Sequence, residues 1–118
     1  MAAGKAQKVL LTSQSLAAST SVNAAEWNMS TAYAGSIIVR LTNGSSAPTT
    51  APVVTFYSGD ATGKKYKRWS GGGDTVNSSV NDIECEYGLQ HMFANCTITN
   101  GATNSITVEI YGQEGSTI

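Results

Sequence analysis

The chain has 118 residues, a length typical of one domain that buries a single core without a metal ion or disulfide to hold it. Charged residues make up 13% of the chain and its net charge is −1, with an isoelectric point of about 5.7. Because nucleic-acid binding needs clustered cations and a favourable overall field, this balance argues against a nucleic-acid partner. The apolar run Val9–Leu11 is too short for a signal-peptide core or a membrane span, so we expect neither secretion nor membrane insertion.

Apolar and polar residues alternate with a period of two along most of the chain, and no window shows the spacing of an amphipathic helix. We predict eight strands: Lys8–Ser15, Glu26–Met29, Ser36–Asn43, Val53–Ser58, Lys64–Trp69, Asp82–Tyr87, Phe93–Asn100 and Ile106–Gln113. The Ala-rich segment Leu16–Glu26 has no apolar stripe and is predicted to be a connection or an irregular edge strand. The pattern indicates an all-β fold, a single antiparallel β-sandwich of seven to eight strands, jelly-roll-like or immunoglobulin-like. It spans residues 8–118, after a flexible N-terminal arm at residues 1–7.

The last two predicted strands show the clearest alternation, and Asn100-Gly101 follows the first of them. Asn-Gly tolerates the positive φ angles of a tight turn, so we predict that these two strands form a hairpin. The strand ending Thr99-Asn100-Gly101 repeats an earlier ending, Thr42-Asn43-Gly44, which fits two stacked sheets built from comparable units.

Cys85 and Cys96 are the only cysteines of the chain. A chain without an export signal more often keeps two cysteines reduced and buried than bridged. We therefore predict two free, buried thiols.

Three carboxylates, those of Asp82, Glu84 and Glu86, alternate with apolar residues along one predicted strand. They share one face of that strand, at spacings of about 7 Å. Side chains on a straight strand diverge too far to wrap a Ca²⁺ ion, which takes six to eight oxygens, mostly from a curved loop. We predict no metal site here, and a solvated or cation-facing surface instead.

One basic cluster holds four of the seven cationic residues together with two aromatic residues. Its members are Lys64, Lys65, Tyr66, Lys67, Arg68 and Trp69. Such a cluster suits a nucleic-acid or glycan patch, or charge pairing with the acidic strand Asp82–Tyr87 across a sheet or a subunit boundary. Charge pairing is the favoured interpretation. These six residues, with Lys5 and Lys8, are the candidate partner contacts.

No catalytic constellation accompanies His91, the single histidine. General acid–base, Ser-His-Asp and zinc chemistry need partner residues at spacings that the sequence does not show. Gly71-Gly72-Gly73 lacks the Lys-Ser/Thr ending and the following helix of a phosphate-binding loop. We expect no catalytic residue, no cofactor and no enzymatic activity.

The segment Ile37–Pro52, with the sequence IIVRLTNGSSAPTTAP, resembles the small β-sandwich virion proteins of tailed bacteriophages and prophages. In that group an apolar strand ending in Val-Arg-Leu-Thr-Asn-Gly runs into a Pro- and Thr-rich loop and then a second strand, here Val53–Tyr57. Phe93–Thr99 followed by Ser105–Glu109 is similar too, and the likeness spans residues 8–113.

This resemblance implies a non-enzymatic structural protein of a bacteriophage virion, a capsid decoration (cement) protein that clamps adjacent major capsid subunits. It implies a homo-oligomer on the capsid exterior, made in the host cytoplasm, with the major capsid protein or other virion proteins as partners. A tail or fibre protein and a carbohydrate-binding, receptor-binding module remain the alternatives. The Trp and Tyr residues are expected in or beside the core, whereas a glycan platform needs two or three exposed, coplanar aromatic rings.

Overall fold

A computed structural model describes residues 5–29, 34–59, 65–72, 80–87 and 92–115. Within these ranges all regular structure is β-strand, which confirms the predicted all-β class. The strands are β1 Lys5–Leu16, β2 Ser21–Asn23, β3 Trp27–Asn28, β4 Ala34–Asn43, β5 Val53–Gly59, β6 Lys65–Gly72, β7 Val80–Tyr87, β8 Phe93–Thr99 and β9 Ile106–Gly115. Lys64 and His91 lie outside the described residues.

The strands form two antiparallel sheets, which confirms the predicted single sandwich. Sheet A has the order β1-β9-β4-β7, and sheet B has the order β2-β8-β5-β6, with β3 also paired to β8. β2 and β3 lie along the same edge of β8, opposite Thr97–Thr99 and Phe93–Ala94 respectively. They therefore act as one interrupted edge strand, and each sheet has four strand positions.

Strands that follow one another in the chain mostly alternate between the two sheets. β5 and β6 are consecutive and paired to each other, but the connections before and after them cross to the other sheet. With β2 and β3 counted as one strand, this is the connectivity of a jelly roll, in which two four-stranded sheets face each other. Of the two sandwich types that the sequence left open, the jelly roll is therefore the one formed.

The core lies between the sheets because each strand buries every second residue. In β4, Ile37, Val39 and Leu41 are fully buried, while Arg40 between them is exposed. Facing side chains from sheet B include Val54, Phe56, Ala94, Cys96 and Ile98. Both cysteines are free, as predicted, but only Cys96 is fully buried and Cys85 is half-buried.

The predicted hairpin between the last two strands is wrong. β8 lies in sheet B and β9 in sheet A, so residues 100–105 carry the chain across the sandwich. Both strands show an apolar stripe because they face the core from opposite sides.

The buried Asn100 side chain holds this crossing in place. Its Nδ2 donates to the carbonyl oxygens of Leu16 and Asn104, both at 3.0 Å, and its Oδ1 accepts from the Gly101 N–H at 2.7 Å.

The crossing also packs tightly against the loop between β4 and β5. The Ala102 N–H donates to Thr50 Oγ1 at 2.8 Å, and Asn104 Nδ2 donates to the Ala47 carbonyl oxygen at 2.8 Å. A Cβ atom at Gly101 would lie 1.7 Å from the carbonyl oxygen of Thr50, so only glycine fits there. Asn100-Gly101 is thus needed for a crossing between sheets rather than for a hairpin turn.

β1 begins within the segment that the sequence assigns to a flexible arm. Lys5 is the register partner of Gly115, and residues 5–7 pair with β9. Residues 1–4 lie outside the described part of the chain.

Candidate contact surfaces

The basic and acidic strands lie at open edges of different sheets. β6 is the edge of sheet B and pairs with β5, whereas β7 is the edge of sheet A and pairs with β4. Pairing of their charges within one sheet, one of the predicted arrangements, therefore does not form. At the opposite side of the sandwich the Ala25 N–H donates to the Leu10 carbonyl oxygen of β1 at 2.9 Å, so that side is closed by backbone contact between the two layers.

Backbone register places the predicted contact residues of β6. Their partners on β5 are Gly59 for Lys65, Ser58 for Tyr66, Tyr57 for Lys67 and Phe56 for Trp69, with Arg68 at a register shift. Residues 65–69 of the cluster are therefore a continuous stretch of edge strand.

Lys8, another of the predicted contact residues, forms an ion pair within the domain. Its Nζ lies 3.4 Å from Glu114 Oε1, and the other carboxylate oxygen of Glu114 accepts a hydrogen bond from Trp27 Nε1 at 3.2 Å. Trp27 is buried, so Glu114 links β1 to the end of the core. The Lys8 side chain is still 44% exposed and lies at the protein surface.

The outward positions of β1, β4, β7 and β9 form one surface, here called the sheet A face, and its β7 side is acidic. Asp82, Glu84 and Glu86 are all exposed on β7, as the alternation predicts. Arg40 binds Asp82 with two hydrogen bonds, Nε to Oδ1 at 2.8 Å and Nη2 to Oδ2 at 3.0 Å, and its Nε lies 4.0 Å from Glu109 Oε1. The hydrogen bond from Arg40 lowers the pKa of Asp82, and the same bond raises the pKa of Arg40.

An apolar row crosses the same face beside these charges. Val9, 57% exposed, is the register partner of Tyr111, which is in turn the partner of Ile38. The Tyr111 hydroxyl donates to Glu109 Oε2 at 2.6 Å, and this bond raises the pKa of Tyr111. Tyr111 was expected in or beside the core but lies on the outer surface, because it alternates with the buried Ile110. An aromatic and aliphatic row next to an arginine is the composition of protein–protein interface centres.

The outer surface of sheet B carries a cleft with a volume of about 140 Å³. Its lining comprises Glu26, Tyr57, Ser58, Gly59, Phe93, Ala94 and Asn95. The half-buried rings of Tyr57 and Phe93 belong to neighbouring strands, in which Tyr57 pairs with Asn95 and Gly59 pairs with Phe93. Gly59 lines the cleft beside the Phe93 ring without contributing a side chain.

The floor of this cleft is held from the core side. The Tyr87 hydroxyl donates to the carbonyl oxygen of Tyr57 at 2.9 Å and lies 3.4 Å from that of Asn95, and Tyr87 itself is buried. Asn95 Oδ1 accepts from the Cys96 N–H at 2.6 Å, which orients the Asn95 carboxamide. The sequence pattern does not reveal this cleft, because Glu26 joins it from a part of the chain far from the other lining residues.

The described part of the chain contains neither a metal-binding cluster nor a membrane-spanning helix. No group of three or more His, Cys, Asp or Glu residues there could hold a metal ion. No helix in those residues has the length and hydrophobicity needed to cross a membrane.

Fold and surfaces together define a jelly-roll β-sandwich with an acidic, partly apolar face on one sheet and an aromatic cleft on the other. No protein-family model and no curated protein matches the chain. Solved structures do share its fold. The SPBc2 prophage-derived protein YomS is 17% identical, and the match covers 98% of this chain and 96% of that one with a TM-score of 0.53.

Two other similar structures come from different sources. VP2 of the infectious bursal disease virus subviral particle is 11% identical over 98% of this chain and 33% of that one, with a TM-score of 0.60. The Yersinia pseudotuberculosis-derived mitogen is 8% identical over 99% of this chain and 88% of that one, with a TM-score of 0.51. At these identities the likeness shows a common fold, not a common activity.

Proposed function

We propose that this chain is a non-enzymatic structural protein of a bacteriophage virion, a decoration (cement) protein bound to the capsid exterior. Three findings support the proposal: the resemblance of residues 8–113 to small virion proteins, the fold shared along nearly the whole length of a prophage-derived protein, and the fold shared with VP2 of a subviral particle. The main structural support for the proposal is the sheet A face, which presents an apolar row beside charges of mostly one sign.

The apolar row supplies the affinity of such a contact. Complete burial of a side chain the size of valine contributes about 1.5–3 kcal/mol, and Val9 has more than half of its surface left to bury. Tyr111 adds a ring whose hydroxyl is already bonded to Glu109, so the phenol does not lose that bond when a partner covers it. One such contact is weak, but many copies on one particle add avidity.

The charges determine the kind of partner. Asp82, Glu84 and Glu86 outnumber Arg40 on the neighbouring strands, so the matching surface is basic. The major capsid protein is the proposed partner, and a basic patch on it would face β7. Charge complementarity of this kind contributes more to specificity and association rate than to affinity.

Contacts between copies use the two open edges. β6 is rich in Lys and Arg and β7 in Asp and Glu, and both have an edge with no strand beside it among the described residues. An edge of one copy can pair with the opposite edge of the next, which gives a head-to-tail contact and rings or arrays. This is the form of charge pairing between subunits that the basic cluster predicts.

Occupancy on particles tests the sheet A face. Capsids of the phage that encodes the chain, assembled without it, are incubated with purified wild-type protein or with the Val9→Ala/Tyr111→Ala variant. We expect at least about tenfold weaker binding by the variant, because it removes the centre of the apolar row. Tyr57→Ala, which removes a tyrosine from the outer surface of the opposite sheet, is the matched control and should bind normally.

Two results would contradict the proposal. Wild-type protein that does not bind these capsids, or that immunogold labelling finds only on tails or fibres, would exclude a decoration protein. Equal occupancy by wild type and the double variant would exclude the sheet A face as the contact.

Replacing Lys64, Lys65, Lys67 and Arg68 by Ala tests the basic strand in the same assay. We expect weaker attachment, because the loss of contacts between copies through β6 reduces avidity on the particle; unchanged occupancy would show that these residues do not contribute to attachment. For contacts between copies, Glu84→Lys/Glu86→Lys should abolish self-association in analytical ultracentrifugation, and the added changes Lys65→Glu/Lys67→Glu should restore it. No restoration would mean that the two edges do not meet.

A further inference from the structure

We infer that the cleft on sheet B is a binding site for a single pyranose ring of a glycan. This goes beyond the proposed structural role, and it concerns the sheet opposite the proposed capsid contact. A decoration protein with such a site would present it toward the surroundings of the particle.

The size and walls of the cleft suit one six-membered ring. Its volume of about 140 Å³ is close to the ~150 Å³ of an engineered cavity that holds benzene. Tyr57 and Phe93 line it with two half-buried aromatic rings, onto which the C–H groups of a sugar can pack. The cleft has room for one such ring, and further units of an oligosaccharide would lie outside it.

The polar groups discriminate among occupants of that size. The Glu26 carboxylate is an acceptor, and Asn95 presents an NH₂ donor because its Oδ1 is bonded to the Cys96 N–H. A hydroxyl group both donates and accepts, so adjacent sugar hydroxyls match this pair of groups. A hydrocarbon satisfies neither, an ammonium ion cannot accept from Asn95, and an anion is repelled by Glu26.

The cleft is also rigid before any ligand binds. Its floor is hydrogen-bonded backbone of β5 and β8, which the buried Tyr87 hydroxyl fastens from below. Asn23 and Thr97 continue the surface along β8, with Thr97 Oγ1 donating to Asn23 Oδ1 at 2.7 Å. Such hydroxyl and amide groups offer weaker contacts to a second sugar unit.

A glycan array followed by an NMR titration tests this inference. The full-length ¹⁵N-labelled protein is titrated with the methyl glycoside of the terminal sugar that the array selects. A dissociation constant of order 1 mM is expected for one ring, with shifts at the amides of Gly59, Phe93 and Asn95. Tyr57→Ala should weaken binding by about tenfold or more, whereas Tyr111→Ala on the opposite sheet should bind like wild type.

Glu26→Gln distinguishes a sugar from a cation as the ligand, because it removes the charge of this exposed side chain but keeps its size. With the sugar we expect a several-fold loss, since a neutral amide oxygen is a weaker acceptor than a carboxylate. Tetramethylammonium chloride is the competing probe. A blank array, shifts outside the cleft, or cleft shifts with tetramethylammonium but none with the sugar would overturn the inference. None of these results depends on whether the chain binds capsids.

Discussion

Replacement of Asn100 by Ala tests how the two sheets are joined. The buried carboxamide makes three hydrogen bonds, to Leu16, Asn104 and Gly101, at 2.7–3.0 Å. Each such bond contributes about 0.5–1.5 kcal/mol net, and its loss leaves a backbone group unsatisfied. We therefore expect the free energy of unfolding to fall by about 2–4 kcal/mol, and the melting temperature by roughly 8–16 °C for a domain of this size.

Equilibrium unfolding in urea, followed by tryptophan fluorescence and circular dichroism, measures this loss. The matched control is Asn23→Ala, because Asn23 is exposed and its amide accepts one hydrogen bond from Thr97. That change should cost less than about 1 kcal/mol. The slope of the unfolding free energy with urea should stay the same in all variants, so that midpoints compare stability.

Asn100→Asp separates hydrogen bonding from shape. The aspartate has nearly the same volume, but it places an acceptor and a buried charge against the carbonyl oxygens of Leu16 and Asn104. It should be at least as destabilising as the alanine variant. Wild-type stability of Asn100→Asp, or a loss for Asn100→Ala no larger than that for Asn23→Ala, would show that these hydrogen bonds do not stabilise the crossing.

Three other predictions concern the core and the sheet A face. Gly112→Ala would place a Cβ 2.9 Å from Cζ3 of Trp27, so we expect the free energy of unfolding to fall by about 1–3 kcal/mol and the tryptophan emission to change. An unchanged emission spectrum and an unchanged stability would contradict this prediction. Because Arg40 lowers the pKa of Asp82, the pair stabilises the fold above the unfolded pKa of about 4, and this stability is lost as pH falls through the lower folded pKa. Urea unfolding between pH 2 and 6 should therefore show a steeper fall in the free energy of unfolding for wild type than for Arg40→Ala. Parallel curves for the two proteins would contradict this role of the pair. Burial raises the pKa of the Cys96 thiol to about 12, so iodoacetamide at pH 8 should alkylate Cys96 only after the protein unfolds. Mass spectrometry measures this labelling. Rapid labelling of the folded protein at Cys96 would show that the thiol is accessible.

Strand positions and faces were predictable because they depend on local alternation. Ile37, Val39 and Leu41 are apolar at every second position and are fully buried. The acidic residues of β7 alternate with Ile83 and Cys85 and lie on the exposed face, as expected. Burial on one face of a strand requires only a period of two, whatever the partner strand is.

Strand partners were less predictable because they depend on contacts far apart in the chain. The stripes of β8 and β9 fit a hairpin as well as two strands facing each other across the core. In the structure β8 pairs with β5 and β9 with β4, and the buried amide of Asn100 at the crossing contacts Leu16, a residue 84 positions earlier. Asn-Gly is a common turn signal, and its sequence does not show that its side chain reaches another strand.

The candidate surfaces were likewise predictable only where they depend on a single strand. The acidic strand could be read from the sequence, but the apolar row of the sheet A face could not, because Val9, Ile38 and Tyr111 meet only through the pairing of three distant strands. The sheet B cleft likewise needs Gly59 beside Phe93 and Glu26 beside Asn95. Residues 65–69 of the predicted basic cluster lie on one edge strand, and the role of the cluster as a contact remains a prediction.

The pairing of β1 with β9 has a consequence for synthesis. Leu16 opposes Ile106, so the ribosome adds about 90 residues between them, which takes roughly 5–20 s. During that interval Leu10 and Leu16 lack β9, the in-sheet partner of their strand, and nascent chains on neighbouring ribosomes can associate through them. Fast synthesis of many copies therefore exposes the apolar residues of β1 to association between nascent chains until translation is almost complete.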